Sequence, residues 1–415
     1  MGVMKLGAVL ALTLLAETSY DGVEARIYGR VLTSSGELHE GFLRWEGAAS
    51  WVDFLSGDKE LSEDFQKEAE TLDPDFALAQ RRARSIEAFG VRLTWDEDDS
   101  ADPVISPSAV RVGHLTSIVQ LDRGRARLRL KSGLEIHMAR LDNGGGDRLR
   151  TLTIEGARGE ETELRWQQID RIDFMSAPLG TTQPAATRLH GTVITKSGQE
   201  NTGYVAWDLD EVLTADVLDG RQNGEDYEVE FGDIARIQWE SERSARVTLR
   251  TGEKLVLRGT NDVDRDNRGI AVSTAFGQAK VLWDDFREIR FHAPTSDGVT
   301  RDAFSGGAAL VGTVESVDGR VLVGEIRWDN DETADWESLD GSGGGVDFFV
   351  EFEKIRSIVR NRPHGVTVAL RDGGSFDLQG ADDVTDRNRG IFVKPEGRTR
   401  RLIRWRDFKR VVFES

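Results

Sequence analysis

"LHGTVITKSGQENTGYVAWDLDE" (residues 189–211) decides the fold, because it returns as "LVGTVESVDGRVLVGEIRWDNDE" at 310–332. Gly191, Gly198, Gly203 and Trp207 match Gly312, Gly319, Gly324 and Trp328, each pair 121 residues apart. An earlier copy, "IYGRVLTSSGELHEGFLRWEG", carries Gly29, Gly36, Gly41 and Trp45 at the same internal spacing. Four landmarks in three copies mark an internal repeat, and a period of this kind governs the whole architecture.

Each copy continues into a second recurring block. "VTLRTGEKLVLRG" (247–259) matches "VALRDGGSFDLQG" (368–380) and "LRLKSGLEIHMAR" (128–140). Val247 and Leu249 alternate with polar residues, a glycine follows, and Leu255 and Leu257 alternate again. Alternation on both sides of a glycine turn reads as a β-hairpin with one buried face, since successive side chains point to opposite sides of a strand. The blocks close with "FGDIARI", "FEKIRSI" and "VGHLTSI", or with "WDDFREIRF", "WRDFKRVVF" and "WQQIDRIDF". Three-residue spacing there predicts a strand, one tight helical turn and a closing strand.

The expected fold is therefore all-β: three tandem repeats over 26–176, 188–292 and 309–415. Each repeat divides into two half-units of about 50 residues, a size well below an ordinary domain. The first repeat holds an insertion over about 57–110, where "DPDFALAQRRARS" predicts a helix capped by Asp73 with Pro74 in its first turn. "SIEAFGVRLTW" then reads as strand and "DEDDSADP" as an acidic loop. "APLGTTQPAAT" (177–187) and "APTSDGVTRDAFSGGAA" (293–309) lack apolar periodicity and read as linkers.

Composition sets the outer limits. The chain has 415 residues, 73 acidic and 54 basic side chains, and a formal charge of −19. Such an envelope repels phosphate backbones, so nucleic acid is not an expected partner. An apolar share of 38% suits several small cores better than one large one. The first 25 residues, one Lys and then an apolar run from Leu6 to Ala16, match a secretory signal with cleavage after Ala16 or Ala25. No other stretch is long and apolar enough for a membrane helix, and there is no cysteine for disulfides or thiolate metal sites. The expectation is an exported protein, periplasmic or extracellular.

The V-x-L-x-x-G hairpins, the Gly-bounded second strand, the Asp/Asn loop and the closing strand–turn–strand resemble small barrels of the Sm-like kind. That resemblance covers most of 27–415 and implies five-stranded, strongly bent half-units that bind RNA or another chain. The RNA side does not carry over: "DDFREI" and "RDFKRV" stand where the family's apolar–Arg–Gly signature belongs. The whole chain is similar to uncharacterised secreted bacterial β-repeat proteins, which implies export.

Candidate chemistry is sparse. "NDVDRDNRGI" (261–270) sets Asp262, Asp264 and Asp266 at alternate positions, like a calcium loop. Asn267 and Ser273 stand where such a loop needs Gly and a bidentate Glu, and the sister loop "DDVTDRNRGI" puts Thr385 and Arg387 at two ligand positions. Asp and Asn-Arg-Gly-Ile survive in both, which is turn chemistry with room for an Asp–Arg tie. "WDLDE" (207–211) and "WDNDE" (328–332) read as solvated acidic turns, although paired carboxylates can also hydrolyse glycosides when they share a cleft. Trp45, Trp166, Trp207, Trp283, Trp328 and Trp405 hold repeat positions and read as core. Trp51, Trp95, Trp239 and Trp336 fall outside that set and are the candidate ligand-binding surface residues. No H-E-x-x-H, G-x-S-x-G or P-loop is present, so no catalytic residue is assigned. The expected function is non-enzymatic binding or scaffolding, with a protein or glycan partner and no cofactor. The alternatives are a carbohydrate- or calcium-binding module and a carboxylate-dependent hydrolase.

Overall fold

The computed structural model describes residues 26–45, 47–73, 85–88, 91–94, 105–121, 124–142, 151–156, 159–182, 184–294, 298–362 and 364–414. The expected export segment 1–25, the helix expected over 74–84, the acidic loop at 96–103 and Trp95 lie outside the described residues. Among those described, the chain is all-β with one α-helix, Glu63–Leu72. No described helix is long and apolar enough to cross a membrane.

The strands form a ten-stranded and a twenty-stranded antiparallel sheet, plus a small hairpin of Ser85–Ala88 with Val91–Thr94. The first sheet runs Glu161–Arg165, Thr151–Glu155, Leu38–Trp45, Tyr28–Thr33, Ile169–Phe174, Leu115–Gln120, Arg125–Leu130, Glu135–Asp142, Phe54–Glu60 and Ile105–Arg111. The strands over 190–291 pair in the corresponding order, from Gly277–Val281 at one edge to Glu225–Glu230 at the other. Those over 311–413 do so again. Gly277–Val281 also pairs with Val346–Glu351, which fuses the last two sets into one sheet. Both large sheets stay open, so closed barrels are absent from the described residues.

The matched glycines have two separate jobs. Gly29, Gly191 and Gly312 sit opposite Gly41, Gly203 and Gly324 across the first hairpin of each set. A Cβ on Gly41, Gly203 or Gly324 would strike the backbone carbonyl of Glu155, Ser273 or Lys394 on the next strand. Gly36, Gly198 and Gly319 instead hold φ of +87°, +91° and +83° in open hairpin turns, a backbone region that costs an L-residue energy. Gly203→Val is therefore expected to destabilise the protein by about 3 kcal/mol in urea unfolding, whereas the exposed Glu200→Ala should stay within about 0.5 kcal/mol.

Five of the six repeat-position tryptophans are core, as their register implies, and Trp166 is the exception. Trp45, Trp207 and Trp328 are at most 1% exposed. Trp207 meets Trp283 edge-on at 6.3 Å and Phe286 at 5.4 Å, and Trp328 meets Trp405 at 6.2 Å and Phe408 at 5.3 Å. Trp166 is only partly buried. The tight turns fall at Val112–His114, Trp166–Gln168, Phe231–Asp233, Phe352–Lys354 and Trp405–Asp407, each leading into a strand.

The insertion differs from its expected form. Phe54–Glu60 and Ile105–Arg111 pair along seven residues, so the inserted chain lies between 61 and 104 at a hairpin tip. In the other two sets the same tip is a two-residue turn, Asn223–Gly224 or Gly344–Gly345, all at positive φ. The described helix precedes the expected one: Ser62 caps it by accepting from the Phe65 amide at 3.2 Å, and Asp73 is its C-terminal cap residue. Glu63 and Asp64 favour that N-terminus electrostatically. Ala69 packs against Phe392, Phe65 lies under the Arg327 guanidinium at 4.5 Å, and Glu68 binds Arg327 and Arg400 at 3.2 and 3.0 Å. The helix thus fastens the first sheet to the last.

Candidate functional site

The two acidic motifs that the sequence separates by 55 residues meet in space. Asp208 and Leu209 (φ +47° and +70°) turn the chain sharply after Trp207, as Asp329 and Asn330 (φ +43° and +75°) do after Trp328. The Trp207 amide donates to the Glu211 carbonyl at 2.9 Å, closing the turn. That geometry swings Asp208 inward, where it accepts from the Arg268 side chain at 3.1 and 3.2 Å and from the Arg268 amide. Arg268 also holds Asp210 at 2.5 Å. The Trp207 indole N–H donates to the Asp262 carbonyl at 2.9 Å, and the Asp262 carboxylate accepts from the Asp219 amide at 2.7 Å. Asp329, Arg389, Asp331, Trp328, Asp383 and Asp340 repeat this set of bonds.

These acidic turns are therefore not solvated, which corrects the expectation for "WDLDE" and "WDNDE". Asp208 and Asp329 are 0% and 1% exposed, and Asp331 and Glu332 are also buried. Packing of neighbouring segments over the turns decides this. The first segment covers the second cluster: Ser106 donates to Asp331, and Lys59 donates to the Asp331 carbonyl at 2.6 Å and to Glu337. Burial pushes Asp262 up to about 7, with Asp208, Asp219 and Asp210 adding to it. Burial, then Asp210 and Asp262, push Glu211 up to about 11. Burial raises Asp329 to about 7 against the pull of Arg389, and holds Glu332, Asp340 and Asp383 well above the carboxylate range beside other carboxyls.

The candidate calcium ligands do not converge. Asp262 is buried and committed to the Asp219 amide, Asp264 accepts from the Asp266 amide at 2.9 Å, and Asp266 is exposed. Among the described residues, no group of three or more His, Asp or Glu side chains is arranged to hold a metal ion. The Asn-Arg-Gly run does what turn chemistry asks: Asn267 and Asn388 accept from the Gly269 and Gly390 amides at 3.0 and 2.8 Å. Calcium titration is expected to give no saturable heat that Asp264→Ala removes.

The candidate tryptophans also move. Trp51 and Trp336, expected at the surface, are each 1% exposed, packed in the core around the first sheet. Trp239 is half-buried, with the Lys196 ammonium 3.9 Å above its ring. Trp51 does line a cavity of about 180 Å³ with Arg26, Asp302 and Arg301. A second cavity of about 220 Å³ is lined by Ser342, Asn361, Asp377 and Gln379. Each contains one carboxylate, so neither offers the acid/base pair of a glycosidase.

Sequence reasoning missed a second device. Asp53, Asp216 and Glu337 each accept from two consecutive backbone amides in the turn three and four residues before them. Each also takes a cation from a distant segment: Arg188 at 2.8 Å, Arg44 at 2.7 Å, and Lys59. An acidic residue eight or nine positions after the repeat tryptophan was the available signal, hidden because the first copy is one residue shorter. Arg111 is a further tie. It binds Glu351 at 2.8 Å, the Thr274 and Gly277 carbonyls at 3.0 Å and the Val52 carbonyl at 3.2 Å, joining all three strand sets. No protein-family model, no curated protein and no solved structure matches this chain, so its functional reading is carried by this geometry.

Proposed function

We propose that the chain is an exported, non-enzymatic protein of three tandem β-modules, each made of two Sm-like half-units, that binds or scaffolds a protein or glycan in the cell envelope or outside the cell. One observation carries the non-enzymatic part: the clustered carboxyls are enclosed by protein instead of facing a cleft, Asp53 and Asp216 each on two backbone amides and a cation of another strand set, Asp208 and Asp329 each on an arginine of their own set. General acid/base work needs groups that reach a reacting atom, and these reach only protein. The tandem reading is supported by the pairing order that recurs over 26–174, 190–291 and 311–413, and by the matched glycine collisions. Three segments tied together still leave edge strands such as Ile105–Arg111 and Glu225–Glu230 unpaired on one side among the described residues, a form suited to partner docking along an edge.

The test has two arms. Partners captured by cross-linking in native envelope fractions are expected to rebind the purified protein saturably, while glycosidic and ester substrates show no turnover. Turnover that falls in Asp331→Asn or Asp377→Asn would overturn the reading in favour of a hydrolase. Intact mass of the native protein is expected to place its first residue at Glu17 or Arg26, and a chain still beginning at Met1 would refute export.

A further inference from the structure

The cavity of about 180 Å³ lies where two connectors cross the first sheet, one at 176–181 and one at 300–302. Its size is below the roughly 300–1,000 Å³ that drug-sized ligands occupy, so it suits a smaller molecule. Two guanidiniums line it. Arg26 is only 5% exposed, held from one side by Glu155 at 3.0 Å and by the Ala186 carbonyl at 2.9 Å, and its buried Nε–H has no acceptor among the described residues. Arg301 is half-buried, its guanidinium 5.9 Å from the Trp51 ring centre, and its buried Nε–H likewise lacks an acceptor. Both Nε–H groups are closed to solvent, so what the two guanidiniums offer the cavity is their incompletely compensated charge.

We propose that this cavity binds a small hydroxylated carboxylate, of the size and chemistry of an acidic monosaccharide. Burial lowers the pKa of both guanidiniums, and Glu155 and Asp302 only partly offset it, so an added anion is electrostatically welcome. Lys131, whose ammonium bonds the Phe304 carbonyl at 3.0 Å, is pushed down to about 8 by burial and then by Arg301, which adds to the local positive field. Planar guanidinium forks match a carboxylate. Asp302 on the same wall repels a dianion, which turns the site away from phosphate, yet accepts from a sugar hydroxyl. Ser176 and Thr300 supply further hydroxyls. Occupancy would fasten both connectors to the first sheet. The site goes beyond the scaffolding role and does not rest on it.

Isothermal titration of the full chain with D-glucuronate tests this, with glucose, acetate and inorganic phosphate as comparison probes at constant ionic strength. Saturable one-to-one binding of glucuronate is expected, at least about tenfold tighter than glucose or acetate, which each lack half of the recognised chemistry. Arg301→Gln should weaken it by about tenfold or more, since it removes one charged donor while leaving the buried Arg26–Glu155 pair intact. Thr300→Val, a milder change, should weaken it less, and gives a second variant should Arg301→Gln unfold. No saturable glucuronate binding into the millimolar range would overturn the proposal. Phosphate binding more tightly than glucuronate would overturn the carboxylate assignment, and folded Arg301→Gln and Thr300→Val that both bind like the parent would overturn the location.

Discussion

Arg111→Met is expected to cost about 3–5 kcal/mol, because it leaves Glu351 buried without its cation and removes a charged donor from three carbonyls. Glu351 is 1% exposed, and the Arg111 guanidinium also sits 4.7 Å over the Phe54 ring, so no water can replace the lost bonds cheaply. Thermal unfolding at neutral pH should show Tm falling by about 3–6 °C for a chain of this size. Adding Glu351→Gln should recover part of the loss, since the uncompensated charge goes with the substitution. The loss should also shrink below pH 5. Burial already raises the Glu351 pKa against the pull of Arg111, and without that arginine the carboxyl takes up a proton more readily. A variant as stable as the parent at pH 7.5 would mean that the three strand sets hold together without this tie.

The buried carboxyls give the second large effect, and its sign runs against habit. Asp262 and Asp329 sit near 7, and Glu211, Glu332, Asp340 and Asp383 higher, all above their unfolded values. A group with a raised folded pKa contributes fully below its unfolded pKa, and that contribution drains away as pH rises through the folded value. Stability should therefore fall between about pH 5 and 8, with Tm lower by roughly 10 °C at the upper end. His114 works in the opposite sense: burial pushes it down to about 4, so its contribution is present above its ordinary value and is lost as pH falls toward 4. One histidine does not outweigh six carboxyls. Glu332→Gln should stabilise the protein by about 2–4 kcal/mol at pH 8 and by little at pH 4.5, because the unfolded chain no longer gains by ionising there. A flat Tm profile in the parent, or a Glu332→Gln that is destabilised at pH 8, would show that these carboxyls stay ionised in the folded state.

Parts of this site were legible in the sequence. The Asn-Arg-Gly turn follows from residue chemistry, whereas the Asp–Arg tie expected across the loop instead reaches the turn after the repeat tryptophan, at Arg268 with Asp208 and Arg389 with Asp329. The burial of those aspartates was not legible. A run such as "WDNDE" looks solvated because nothing within it says that Ser106 and Lys59, more than two hundred residues away, will pack over Asp331. Trp51 and Trp336 were misplaced for the same reason, since lying outside a repeat register says nothing about which segment lands on the ring. The helix Glu63–Leu72 was not anticipated, although the capping hydroxyl of Ser62 and the acids behind it are a local signal for it.

By itself the sequence determined the strands, their turns and the aromatic core of each set. Those depend on alternation, on glycine at hairpin tips and on close-approach positions, all of which act over a few residues. Only the tertiary structure decided which carboxyls are buried, which cations meet them and where two connectors enclose Arg26 and Arg301. Those outcomes turn on contacts such as Arg188 with Asp53, 135 residues apart, and desolvation depends on everything that covers a group, not on its neighbours in the chain.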